Sequence, residues 1–170
     1  MSPATSRAVR RHLVSLYVAN QAGVVNRVAQ VFARRGFNID SIVASPAHDP
    51  AFSHMNIVAS GDEKTLEQIL KQLNKLVDVV HGRDITAEDV IQRELGLFKV
   101  RCEATRRTEV LDVAHAFKCQ VVDLAETAIT LQVTGRTEKI DALHRMLNPY
   151  GVIEMVRTGK VLMARGEEVT

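Results

Sequence analysis

The stretch His12–Pro46, HLVSLYVANQAGVVNRVAQVFARRGFNIDSIVASP, decides how the rest of the chain must be read. Val14, Leu16 and Val18 alternate with Ser15 and Tyr17, the period-two pattern of a strand buried on one face. A short turn, Asn20-Gln21-Ala22-Gly23, gives way to Val24, Val28, Val31 and Phe32, which recur at i, i+4, i+7 and i+8 along one side of a helix. Gly36 supplies the left-handed position that stops the helix after Arg34 and Arg35, two cations suited to its C-terminus.

Working outward, strands are expected at 38–45 and 53–60, joined by a loop holding Pro46 and Pro50. A second helix begins near Asp62 as N-cap and buries Leu66, Ile69, Leu70 and Leu73, and a strand at about 77–83 closes a β-α-β-β-α-β unit. Residues 97–163 repeat the order. Phe98, Val100 and Cys102 alternate with charged residues, a helix at about 108–118 presents Val110, Val113, Ala114 and Phe117, and strands follow near 120–125 and 128–134. A helix with Ile140, Leu143 and Leu147 ends before Pro149, and VIEMVRTG supplies the last strand. The expected fold class is α+β, two tandem ferredoxin-like units, each a four-stranded antiparallel sheet with two helices on one face. The other sheet face is left open, with Tyr17 pointing to it, and calls for cover by another copy. Between the units ITAEDVIQREL at 85–95 is polar, and Thr86 followed by Asp89 reads as a short helical linker.

The chain has 170 residues, 25% of them charged and 46% hydrophobic, with a net charge of +2. Eleven basic and ten acidic residues lie on each side of residue 95, so neither half is a polyanion-binding tail. No run approaches the roughly 18 apolar residues of a membrane span, and MSPATSRAVRR reads as a frayed basic arm rather than a secretory signal. Cys102 and Cys119 read as reduced, buried thiols of a cytosolic protein.

The nine glycines are never closer than Gly159 and Gly166, which excludes both a GxGxxG fingerprint and a GxxxxGK[ST] phosphate loop. The six histidines show no HxH or HExxH spacing, there is no CxxC, and no GxSxG elbow occurs. Neither a metal site nor catalysis by this chain alone is expected. The turn at Asn20–Gly23 is where a ligand could sit, because free N–H groups at a helix N-terminus favour a carboxylate. Gly23 permits close approach, and Asn20 can both donate and accept, as a zwitterionic amino acid requires. On spacing alone a second reading stays open, in which Asn20 caps the helix, Gly23 permits the turn and Asn38 merely opens strand two. A Gly23→Asp change would be tolerated by the fold only if Gly23 is not left-handed.

The segments NQAGVVNRVAQVFARRGFNIDSIVASP (20–46), SHMNIVASGDEKTLEQILKQLNKLVDVV (53–80), RELGLFKVRCEA (93–104) and MVRTGKVLMARGE (155–167) closely resemble the small regulatory subunit of acetolactate synthase (acetohydroxyacid synthase). That family opens with an ACT domain. The resemblance covers nearly the whole chain from about residue 10 and implies an ACT domain at 10–84, a linker at 85–95 and a C-terminal ferredoxin-like domain at 96–166. It implies a noncatalytic subunit that activates a separate thiamine-dependent catalytic subunit and confers feedback inhibition by valine or another branched-chain amino acid. Asn20, Gly23 and Val24 would hold the effector on one chain, and Asn38 would reach it from the partner chain of a homodimer. No cofactor is expected on this chain; thiamine diphosphate, Mg²⁺ and FAD would belong to the catalytic subunit. Two departures stand out: His54 in SHMNI, where the family more often has arginine, and the shortened stretch ATRRTEVLDVAHAF.

Two other functions fit the same βαββαβ order. One is a free-standing ACT-type sensor controlling a different enzyme. The other is an RNA-binding module, against which stand the position of Arg35-Gly36-Phe37 at a helix end and a third strand without an aromatic beyond Phe52. No nucleic acid or membrane partner is expected.

Overall fold

The computed structural model describes residues 10–170, so the expected basic arm at 1–9 lies outside the described residues. The described residues divide into two compact units, 10–91 with Leu162–Thr170, and Gln92–Val161.

The first unit runs β1 (Arg10–Ala19), α1 (Val24–Ala33), β2 (Asn38–Pro46), β3 (Phe52–Gly61), α2 (Glu63–Leu73) and β4 (Val79–Asp84). Its antiparallel sheet has the order β2-β3-β1-β4, with Val14 opposite Ile57 and Leu16 opposite Met55. Those four, with Val18, face the helices and meet Val24, Val28 and Phe32 from α1 and Leu66, Ile69 and Leu73 from α2, all buried. Leu70, expected in the same stripe, is partly buried against this core.

Both helix stops follow from local chemistry. At the end of α1 Gly36 has φ +63°, the Phe37 amide donates to Phe32 O at 3.1 Å and the Gly36 amide to Ala33 O at 3.1 Å. This is the glycine-terminated closure in which a left-handed residue returns the chain's amides to the last carbonyls. It turns the Phe37 ring back onto Phe32, 6.3 Å between centroids. Asp62 opens α2 as expected, its carboxylate accepting from the Thr65 amide at 3.0 Å.

The opposite sheet face departs from expectation. Leu13 and Val58 on that face are covered by Ile85, Val90 and Leu162 of the same chain, a second small apolar cluster. Cover by another copy is therefore not what this part of the face requires, because the chain itself supplies the apolar area. Tyr17 does point to that face, where its ring stacks on Phe52 (5.0 Å) and His81 (5.5 Å).

The expected helical linker is corrected too. Residues 85–90 form turns and β5 (Ile91–Arg101) already begins at Ile91. Thr86 does not cap a helix: its Oγ1 accepts the Leu13 amide at 2.8 Å, and its own amide donates to Asp84 Oδ1 at 2.9 Å. Burial of Ile85 and Val90 in the small cluster fixes the segment as a turn of the first unit. Residues from Leu162 onward group with the first compact unit.

The second unit continues from β5 through a single 3₁₀ turn (Ala104–Arg106) to α3 (Arg107–Ala116), β6 (Gln120–Leu124), β7 (Ala128–Gly135), α4 (Thr137–Leu147) and β8 (Val152–Arg157). The strand order β6-β7-β5-β8 repeats that of the first unit, with Phe98, Val100, Ile129 and Leu131 buried against Val110, Ile140, Leu143 and Leu147. Arg157 joins β8 to α4 and β5: it bonds Asp141 at 2.6 Å and the buried Glu94. A short strand, β9 (Val161–Met163), follows. Both cysteines are free, Cys102 buried and Cys119 only half-buried, because α3 ends just before it and β6 is an exposed edge.

A Cβ on Gly61 would stand 2.0 Å from the Phe37 ring. Gly61→Ala is therefore expected to destabilise the first unit by about 1–3 kcal/mol through overpacking, read as a lowered urea midpoint at unchanged slope. A midpoint equal to that of the native protein would show that Phe37 does not hold the position its closure assigns.

Candidate functional site

The turn from β1 to α1 is held from two sides. The Asn20 amide donates to Ala51 O at 2.8 Å and its carboxamide Nδ2 to Pro50 O at 3.0 Å, which ties it to the β2–β3 loop. On the other flank the Ala19 amide donates to Asp78 O at 2.7 Å. Gly23 is the N-cap residue of α1 with φ +84°, and no side chain caps the helix. The capping reading of Asn20 is thus corrected: with its Nδ2 committed to Pro50, its Oδ1 remains an acceptor.

The start of α1 also lacks any acidic residue in its first turn, whereas α2 has the Asp62 carboxylate and Glu63 there. The Val24 amide donates to Gln21 O at 3.4 Å, and the N–H groups that follow it, with the helix dipole, leave partial positive charge at this end. An anion placed there gains what the sequence withholds.

Beside this helix end is a cavity of about 170 Å³. Val18, Val24, Val25, Ala44, Pro46 and Met55 give it apolar walls, and Asn20, Gln21, Ser45 and Ser53 supply polar groups. Bared amides, a free carboxamide oxygen and a small apolar recess together suit a small zwitterion with a short aliphatic side chain. Two larger clefts, of about 430 and 480 Å³, are walled mainly by charged side chains such as Arg83 and Arg165 in one and Arg93 and Arg136 in the other. Neither offers an aliphatic recess. Among the described residues no group of three or more His, Cys, Asp or Glu side chains could hold a metal ion.

Of the four residues singled out in the sequence, Asn20 and Val24 line this cavity. Gly23 is adjacent, but a Cβ on it would meet Arg27 Nη1 at 3.0 Å rather than the cavity. Asn38 stands at the far end of β2, donating to Asp40 Oδ1 at 2.7 Å. Eight positions of strand, about 25 Å, separate it from Pro46, so one chain does not bring Asn38 to the cavity. Val18, Ser45 and Met55 were missed because their positions read as ordinary strand residues. Only the pairing of β1, β2 and β3 brings them together.

Residues 14–81 match the family described as "AHAS small subunit-like ACT domain", and residues 93–166 match "Small subunit of acetolactate synthase". Fold and turn together define an ACT-class protein with a second ferredoxin-like unit. A "Probable acetolactate synthase small subunit" of Methanothermobacter thermautotrophicus is 42% identical over 156 residues, 91% of this chain and 93% of that protein. The acetolactate synthase small subunit of Mycobacterium leprae is 42% identical over 155 residues, 91% of this chain and 92% of its own length. The crystal structure of the Thermotoga maritima small subunit superposes with a TM-score of 0.84 at 38% identity, covering 94% of this chain and 99% of that one. The chain belongs to the acetolactate synthase small-subunit family. Among the described residues, no helix is long and apolar enough to cross a membrane.

Gly23 is left-handed, so the condition on which a Gly23→Asp change would be tolerated is not met, and side-chain effects there are mixed with backbone strain. Gly23→Ala is expected to cost about 1–2 kcal/mol in chemical denaturation from the positive φ alone. A stability within error of native would mean that the turn adopts another conformation.

Proposed function

We propose that this chain is the regulatory subunit of acetolactate synthase and that it binds valine, or another branched-chain amino acid, at the β1–α1 turn. The observation that carries the reading is the bared N-terminus of α1 beside an aliphatic recess. The effector carboxylate takes the first-turn amides of α1, its ammonium takes the Asn20 carboxamide oxygen, and its side chain enters the recess between Val24 and Met55. Burying a side chain of that size contributes about 1.5–3 kcal/mol. Asn38 comes from the partner chain of a homodimer, which makes the site depend on how two ACT domains pair. Effector and pairing are then thermodynamically linked: a ligand that prefers one pairing stabilises it, and coupling of about 1–3 kcal/mol gives a roughly 5–150-fold response.

The chain acts in this reading as a noncatalytic cytoplasmic partner of the large subunit, which joins two pyruvates, or pyruvate and 2-oxobutanoate, with thiamine diphosphate, Mg²⁺ and FAD bound there. It activates that subunit and makes it sensitive to the effector. The free-standing sensor differs only in its partner, and co-purification with the large subunit separates the two. The RNA-binding reading is disfavoured by the rings on the open sheet face. Tyr17 lies within 22° of parallel with both Phe52 and His81, so these rings stack on one another instead of presenting faces to bases.

Acetolactate formation by the catalytic subunit should rise when this chain is added and fall again with valine; no change in either condition would remove the reading. In calorimetry, Asn20→Ala should weaken valine binding by about 1–3 kcal/mol, the cost of leaving a polar ligand group unpaired. Sedimentation at micromolar concentration should show a dimer. An 18.8 kDa monomer with undiminished valine affinity would cancel the role given to Asn38.

A further inference from the structure

The proposed effector turn is gripped on its far flank by an ion pair that the effector reading does not use. Arg27, one turn into α1, donates through Nε to Asp78 Oδ2 at 2.6 Å. The Asp78 side chain is only 11% exposed, against 42% for Arg27. Asp78 lies just before β4, and its backbone carbonyl takes the Ala19 amide at 2.7 Å. One residue thus holds the last position of β1 by its main chain and the start of α1 by its carboxylate. Between these two grips hangs the turn 20–23. Arg27 closes the span itself, its amide donating to Gly23 O at 3.0 Å and its Nη1 standing 3.0 Å from where a Cβ on Gly23 would be.

We propose that Arg27 and Asp78 are a positioning pair that fixes the β1–α1 turn in its ligand-ready geometry; the inference rests on the effector reading above. Arg27 does not line the cavity and is given no contact with the effector. Its effect passes through the backbone. With the ion pair intact, the direction of the first-turn amides is set by β4 on one side, and the Asn20 carboxamide is set by the β2–β3 loop on the other. Without it, α1 can shift at its N-terminus, and the amides no longer converge with Asn20 on one small zwitterion. A guanidinium suits the task better than an ammonium, because Nε engages Asp78 while Nη1 lies against Gly23.

The test uses the full-length chain with Arg27→Ala, Asp78→Asn, the double variant and Arg27→Lys. Valine binding is followed by calorimetry and local opening by amide hydrogen exchange. Either single change should weaken valine binding about tenfold, and the double variant should lose no more than the worse single one, as expected of residues acting as one unit. Arg27→Lys should recover part of the loss. Exchange should accelerate for amides 20–25 while α2 keeps its protection, a confined response that general destabilisation does not give. Native valine affinity in Arg27→Ala, or losses that add, would overturn the pair's role. Should the unmodified chain bind no valine, the effector reading fails, and exchange alone decides: unchanged rates at 20–25 in Asp78→Asn overturn the pair, and faster rates there support it. Where Arg27→Ala does not fold, Asp78→Asn and Arg27→Lys carry both measurements.

Discussion

The first unit depends on the register of β1. This strand is paired on both sides, to β3 and β4, and carries Val14, Leu16 and Val18 to the helices on a period of two. A slip of one residue would send all three to the other face and bring Ser15 and Tyr17 into the core. The same register places Ala19 at the end of the strand, within reach of Asp78 on one neighbour and with Asn20 beside Ala51 on the other. The turn that follows is therefore located by core packing, and only its detailed shape is left to Gly23.

The two helices of that unit show how a fold can keep one terminus available and close another. α2 is capped by Asp62 and carries Glu63 in its first turn, so its N-terminal charge is already compensated. α1 has neither feature. The difference does not come from packing, since both helices bury three residues in the same core. It lies in what the chain places before each helix: an aspartate at one, a left-handed glycine at the other. A glycine N-cap forgoes the side-chain hydrogen bond that Asp62 supplies at α2, so no side chain caps the first-turn amides of α1.

The second sheet face has a cost that the first does not. Ser15 and Asn56 stand opposite each other across β1 and β3, both buried, and Ser15 Oγ and Asn56 Oδ1 have no hydrogen-bond partner among the described residues. Each such group loses about 1–3 kcal/mol relative to a satisfied one. The apolar cluster of Leu13, Val58, Ile85, Val90 and Leu162 offsets that loss at one end of the face, and the stacked rings around Tyr17 do so at the other. In the second unit the buried charge of Glu94 is met directly by Arg157, and the buried atom left without a partner there is Arg107 Nε, among the described residues.

The sequence by itself determined the elements. Val14, Leu16 and Val18, the stripe from Val24 to Phe32, the stop at Gly36 and the cap at Asp62 each depend on residues no more than about eight positions apart, and local spacing encodes them. It also marked Asn20 and Gly23 as a turn of interest. Tertiary structure decided what those residues do. Asn20 bonds Pro50 instead of the helix because strand pairing brings the β2–β3 loop beside it. Thr86, with the signature of a helix cap, serves a turn because Ile85 and Val90 are drawn into an apolar cluster with Leu13. The cavity wall of Val18, Ser45 and Met55 and the pairing of Arg27 with Asp78 join residues about 10 to 50 positions apart. Such contacts arise from the register of one strand against another, which no local period records.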